Sequence, residues 1–140
     1  MLYVDTSVLV ASIVEEPRSA DVRKWLGHAD PEDLVISDWV VSEFSSALSV
    51  KLRTGQIDIE HRKLALTAFS TLINDSANVL PIMSGHFRMA ARYADNHRSG
   101  LRAGDALHLA IAEYYGASVH TLDATLASAG SIFGVETNLL

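Results

Sequence analysis

Short apolar runs alternate along the chain with stretches whose apolar residues recur at helical spacing. Leu2-Tyr3-Val4 is a β-like run, and Asp5-Thr6-Ser7 behind it can cap a helix over residues 6–16 that stops before Pro17. Residues 18–28 carry a second helical pattern, with Val22, Trp25 and Leu26 on one face. Leu34-Val35-Ile36 is the next strand. Ser37 or Asp38 then opens a long helix to about Arg53, closed by Thr54-Gly55. Val40, Val41, Phe44, Ala47 and Leu48 form its apolar stripe. Asp58 caps a fourth helix bearing Leu64, Ala65, Ala68, Phe69, Leu72 and Ile73. Residues 79–82 read as a third strand, at an edge or ending at Pro81. Helices over residues 84–97 and Ala103–Tyr115 follow, then a strand at 118–122, a short helix at 124–129 and a last strand at 135–137.

Strands separated by helices predict an α/β fold with a parallel sheet covered on both faces. In such sheets ligands gather beyond the carboxyl ends of the strands, which singles out Asp5 and Asp123. Glu43 borders the apolar stripe of the long helix. Asp105 opens a helix, Gly104 to Ala112, that is apolar on almost every side. Singly, each acid has a structural explanation. Asp5 and Asp123 can cap helices, Asp105 can favour a helix N-terminus, and Glu43 can sit at a solvated edge. Together they place four carboxylates at strand ends or half-buried positions, where uncompensated charge is costly. Oxygen-only clusters of this kind suit hard cations such as Mg²⁺ or Mn²⁺.

Composition narrows the classes further. The 140 residues fit one domain, 1–140, and 49% hydrophobic with 20% charged residues allows a real core. With no cysteine, disulfides, zinc–thiolate sites and cysteine catalysis are excluded. No apolar run spans a bilayer, and Asp5 falls where a signal peptide would be apolar. The expectation is a cytoplasmic domain with no membrane partner. A formal charge of −6 argues against a strongly basic nucleic-acid glove, although it leaves room for a local basic patch.

Val4-Asp5-Thr6-Ser7-Val8, Glu43 within a helix, Asp105-Ala106 opening an alanine-rich helix and Thr121-Leu122-Asp123 after a strand resemble the PIN-domain nuclease pattern. Length and motif order resemble the VapC toxins of prokaryotic VapBC toxin–antitoxin pairs over essentially the whole chain. The resemblance implies a three-layer α/β/α sandwich with a mainly parallel sheet, and metal-dependent hydrolysis of RNA. It implies Asp5, Asp105 and Asp123 as central acids for Mg²⁺ (or Mn²⁺), and Glu43 as a residue that binds metal or orients its water. Ser7 and Thr121 would support the site by hydrogen bonding. It also implies a homodimer and a small VapB-like antitoxin that obstructs the acids with a helix. One departure is Ala124-Thr125 after the last aspartate, where many relatives carry a basic residue. Alternatives are a PIN-type nuclease acting in RNA processing or on structured DNA, and a non-catalytic acidic cation-binding module.

Arg88, Arg92, Arg98 and Arg102, with His86 and His97, occupy a stretch whose only acid is Asp95. Arg88 and Arg92 share a helical face, so with Arg102 they are candidate RNA-binding residues beside the ordinary reading of a solvated face. His108 reads as a packed histidine, and His28, His61, His86 and His97 as surface residues. Trp25 and Trp39 lie on apolar helical faces. Phe44, Leu48 and Leu52 beside Phe69, Leu72 and Ile73 suggest either core or a surplus apolar surface for a partner.

Overall fold

The structure, a computed structural model, describes residues 1–75 and 78–140. Strands β1 (Leu2–Val4), β2 (Leu34–Ser37), β3 (Asn78–Leu80), β4 (Ser118–Thr121) and β5 (Thr137–Leu139) form one sheet in the order β3-β2-β1-β4-β5. All four neighbouring pairs are parallel, with Tyr3 opposite Val35 on one side and Val119 on the other. Helices α1 (Thr6–Ile13), α2 (Ser19–Leu26), α3 (Asp38–Arg53) and α4 (Ile59–Asp75) contact one another, while α5 (Ser84–Ala94), α6 (Ala103–Tyr115) and α7 (Ala124–Phe133) form a second group. The result is the expected α/β/α sandwich.

From β1 the chain proceeds to β2 and β3 on one side and returns to β4 and β5 on the other. The carboxyl ends of β1 and β4 therefore flank the place where the strand order reverses, the usual position of a ligand crevice. Asp5 leaves β1 there and Asp123 follows β4. The core lies beneath: Tyr3, Phe44, Leu48, Leu109, Ile111 and Leu126 are fully buried. Phe44, Leu48 and Phe69 belong to that core, and Leu52, Leu72 and Ile73 are half-buried, so this run is not a free apolar face. No helix among the described residues is long and apolar enough to cross a membrane.

Several ends differ from the sequence expectation for identifiable reasons. The first helix stops at Ile13 rather than 16. Ser19 Oγ donates to the Ala11 carbonyl and accepts from the Glu16 N–H, and Pro17 disfavours helix at the residue before it. The second helix, expected over 18–28, is confined to Ser19–Leu26. A short 3-10 turn, Pro31–Asp33, precedes β2. The third strand is Asn78–Leu80 rather than 79–82, and it is an edge strand. The helix expected over 84–97 ends at Ala94, where the Asn96 side chain accepts from the Arg98 N–H and turns the chain. β4 ends at Thr121, one residue early.

The last helix runs to Phe133, well past 129, because Gly130 lets it approach β5. A Cβ at Gly130 would lie 2.2 Å from the Thr137 side chain. Gly134, at φ 73°, closes that helix, and the Val135 N–H bonds back to Gly130. Val135 is thus used in the cap, and the strand begins two residues later than expected. His86 is buried, not on the surface. It sits between the Tyr114 and Tyr115 rings, and the Met83 N–H donates to its Nδ1.

Candidate functional site

Asp5, Glu43, Asp105 and Asp123 line one cleft of about 490 Å³, although they come from four separate elements. Asp5 is the N-cap of α1 and is buried. Its Oδ2 accepts from Ser7 Oγ at 2.6 Å and Thr121 Oγ1 at 2.7 Å. Ser7 Oγ also accepts the Leu122 N–H at 3.0 Å, and Thr121 Oγ1 accepts the Asp123 N–H at 2.9 Å. Two hydroxyls therefore tie the end of β1 to the end of β4 and fix the first acid against the last.

Asp123 is exposed, and its Oδ1 caps α7 through the Thr125 and Leu126 N–H groups at 2.7 and 2.9 Å. Asp105 lies in the first turn of α6, where its Oδ2 accepts from the Arg102 N–H at 3.2 Å. Capping therefore accounts for one oxygen of each. Asp105 Oδ1, Asp123 Oδ2 and Glu43 Oε1 accept no hydrogen bond among the described residues.

His108 occupies the centre. Its Nε2 lies 2.7 Å from Glu43 Oε2 and 3.1 Å from Asp5 Oδ1. Its Nδ1 lies 2.9 Å from the Tyr3 hydroxyl, which reaches Ser37 Oγ at 2.7 Å. Thr6 Oγ1 adds a 2.7 Å bond to Glu43 Oε2. One atom each of Asp5, Glu43 and His108 lie within 4.8 Å of one another, a group that does not include Asp105 or Asp123.

The charges follow from this packing. Burial disfavours a charged His108, yet the Glu43 hydrogen bond and the charges of Asp5, Glu43 and Asp105 outweigh it and raise its pKa. Burial also works against a charged Glu43, but His108 and Thr6 hold its carboxyl below the ordinary value. Asp105 goes the other way. Burial raises it, the Arg102 N–H only partly compensates, and Asp123 and Asp5 add like charge. Burial pushes the Tyr3 hydroxyl far up, so it stays protonated.

Gly104 allows α6 to come this close to α3. A Cβ there would lie 2.9 Å from Glu43 Oε1 and 3.4 Å from the Trp39 ring. Arg88, Arg92 and Arg102 are exposed, and their side chains do not line the cleft. Among the lining residues that the sequence reading did not place in the site are His108, Lys51 and Glu16. The available signal for His108 was a lone titratable side chain in an otherwise apolar helix, one turn beyond Asp105. For Lys51 it was the spacing from Glu43 along one helix.

Residues 2–131 match the PIN domain family, and the chain belongs to it. Comparison with curated proteins finds no match. Among solved structures, the chain is similar to Mycobacterium tuberculosis VapC20, described as a Sarcin-Ricin loop cleaving toxin. The two share 16% identity over 93% of this chain and 95% of that one, with a TM-score of 0.75. It is similar to VapBC-5 of the same organism, a member of the VapBC family of toxin–antitoxin systems, at 20% identity over 99% and 97%, TM-score 0.63. It is also similar to PAE2754 from Pyrobaculum aerophilum, at 26% identity over 97% and 82%, TM-score 0.64.

Proposed function

We propose that the chain is a Mg²⁺- or Mn²⁺-dependent endoribonuclease, acting as a single domain and as the toxin of a VapBC-type pair in the cytoplasm. The observation that carries this reading is the convergence of four acids on one rim, three of them with an unbonded oxygen. The raised pKa of Asp105 supports it, because burial first and the like charge of Asp123 and Asp5 after it disfavour an ionised carboxyl that a cation would stabilise. The donor set is right for a hard cation: carboxylate oxygens dominate, and His108 Nε2 is already committed to two of them.

Asp5, Asp105 and Asp123 would hold the cation. Glu43 would bind it or orient water with the oxygen that His108 and Thr6 leave open. Ser7 and Thr121 fix Asp5, and His108 keeps Asp5 and Glu43 together despite their charge. The chemistry supplied by a divalent cation there is neutralisation of phosphate charge and activation of water. Arg88, Arg92 and Arg102 would guide the strand from outside the cleft.

Similarity to VapC20 and VapBC-5 supports the toxin assignment and, with it, a VapB-like antitoxin and a homodimer as partners. Exposed Leu64 and Phe87 offer apolar surface for such contacts. Purified protein should cleave generic RNA with Mg²⁺ and stop when chelator is added. Absence of metal-dependent cleavage would return the cleft to a non-catalytic cation-binding role.

A further inference from the structure

Among the described residues, Lys51 is the one lysine or arginine that lines the acidic cleft. It stands two turns beyond Glu43 on the same side of α3, about 12 Å along the axis at the ordinary helical rise. Its ammonium pairs with Glu16, and their side chains are 14% and 27% exposed. A second donor goes to Gln56 Oε1 at 3.2 Å. An ammonium has three donors, so one remains.

Glu16 is itself held. Its N–H donates to Ser19 Oγ at 2.8 Å, and its carbonyl accepts the Ser19 N–H at 3.0 Å. The backbone of Glu16 is anchored in this way, and its carboxylate pairs with the flexible lysine at the cleft wall and masks its charge. A helix C-terminus favours a cation in any case, so a purely structural pair is the competing account.

We propose that Lys51 is a phosphate contact for the nucleic-acid strand in the cleft, held in place and partly masked by Glu16. The proposal rests on the nuclease reading and adds a binding residue to it. A strand entering the cleft meets Glu16, Asp123 and the other acids, and Lys51 is the fixed positive charge offered there. A phosphate away from the scissile one would take the free donor and compete with Glu16 for the ammonium. Contacts of this kind add affinity without sequence choice and carry a salt dependence.

The test is binding of a short fluorescein-labelled oligouridylate to an Asp5→Asn background across a salt series. Lys51→Gln is expected to weaken binding about 3- to 10-fold and to reduce the log–log salt slope by about 0.7, one phosphate's worth for a single strand. Glu16→Gln is expected to strengthen binding about 2- to 5-fold, because the ammonium is unmasked. Lys51→Arg should keep both affinity and slope. A merely structural pair would lower the melting temperature in Lys51→Gln and Glu16→Gln alike, and move binding in neither or in the same direction. That result overturns the proposal. An Asp5→Asn parent that binds no oligouridylate would sink the nucleic-acid reading with it, whereas a binding parent with an unchanged Lys51→Gln slope sinks only the lysine.

Discussion

His108 Nε2 lies 2.7 Å from Glu43 Oε2, and the imidazole that makes this bond is almost wholly buried. Nε2 also lies 3.1 Å from Asp5 Oδ1, so one side chain separates two carboxylates that would otherwise repel. Removing one partner of a buried charge group leaves the others uncompensated, at about 3–5 kcal/mol. His108→Gln keeps a donor but no charge. In chelator it should lose about 3 kcal/mol of unfolding free energy, read from urea titrations. A loss below about 1 kcal/mol would mean that the two acids are not held by an imidazolium.

The same group sets a pH dependence. Glu43 is lowered from 4.5, so its stabilisation is complete above that value and disappears as pH falls through its folded pKa. His108 is raised from 6.5, so its stabilisation is complete below that value and disappears as pH rises through its folded pKa. Asp105, raised from 3.8, adds a further penalty as it ionises. In metal-free protein the contribution of this group should therefore be greatest between about pH 4.5 and 6.5 and decline toward alkaline pH. His86 and His120, both lowered from 6.5 by burial, oppose it on the acid side, so the melting temperature should peak near the upper end of that window. His108→Gln should flatten the alkaline limb. A melting temperature still rising above neutrality would contradict the signs.

The two central aspartates should behave differently when neutralised. Asp105→Asn removes a half-buried like charge, so the apo protein is expected to gain up to about 1 kcal/mol while metal-dependent cleavage is lost. Asp5→Asn also loses cleavage, but its Oδ2 takes two hydroxyl bonds and its Oδ1 faces His108. An amide cannot accept at both positions, and a loss of about 1–3 kcal/mol is expected. Thermal melts with chelator, beside a cleavage assay with Mg²⁺, separate the two. Equal shifts in both variants would show that Asp5 is not the anchored member.

The strand–helix alternation and the four acids were legible because they rest on local signals. Apolar spacing marks the elements, and Asp5 and Asp123 sit at polar breaks directly after strands. What stayed hidden depends on distant contacts. His108 looks like any histidine in an apolar helix until α6 meets Tyr3, Asp5 and Glu43. His86 sits in polar sequence company yet is buried by Tyr114 and Tyr115 from another helix. The helix expected over 124–129 continues through Gly130, whose missing Cβ leaves room for Thr137, a contact from a later strand. Lys51 was one more charge near a helix end until the turn after α1 brought Glu16 beside it.

Arg88 and Arg92 are exposed on α5 and lie outside the cleft. If they guide RNA toward it, Arg88→Ala with Arg92→Ala should weaken binding and flatten the salt slope without moving the cut site. Arg102, one turn before Asp105, should affect cleavage more than binding when replaced by alanine. Electrophoretic mapping of the cut ends, beside binding measured in an Asp5→Asn background, distinguishes these outcomes. Unchanged affinity and slope would leave the α5 arginines as a solvated face.

Gly104→Ala tests the placement of Glu43 without touching an acid. The new Cβ would meet Glu43 Oε1 at 2.9 Å, while Oε2 stays pinned by Thr6 and His108, so the carboxylate must rotate about its bonded oxygen. Trp39 closes the other side at 3.4 Å. The shift costs little stability, since a half-exposed carboxylate end is adjustable and alanine favours helix over glycine by up to about 1 kcal/mol. Its effect on chemistry is larger, because small misplacements of a positioned group cost catalysis about 10-fold or more. The expected result is a melting temperature within a few degrees of the parent and cleavage reduced by about 10-fold or more at saturating Mg²⁺. Full activity with an unchanged melt would mean that Glu43 Oε1 takes no part in the reaction.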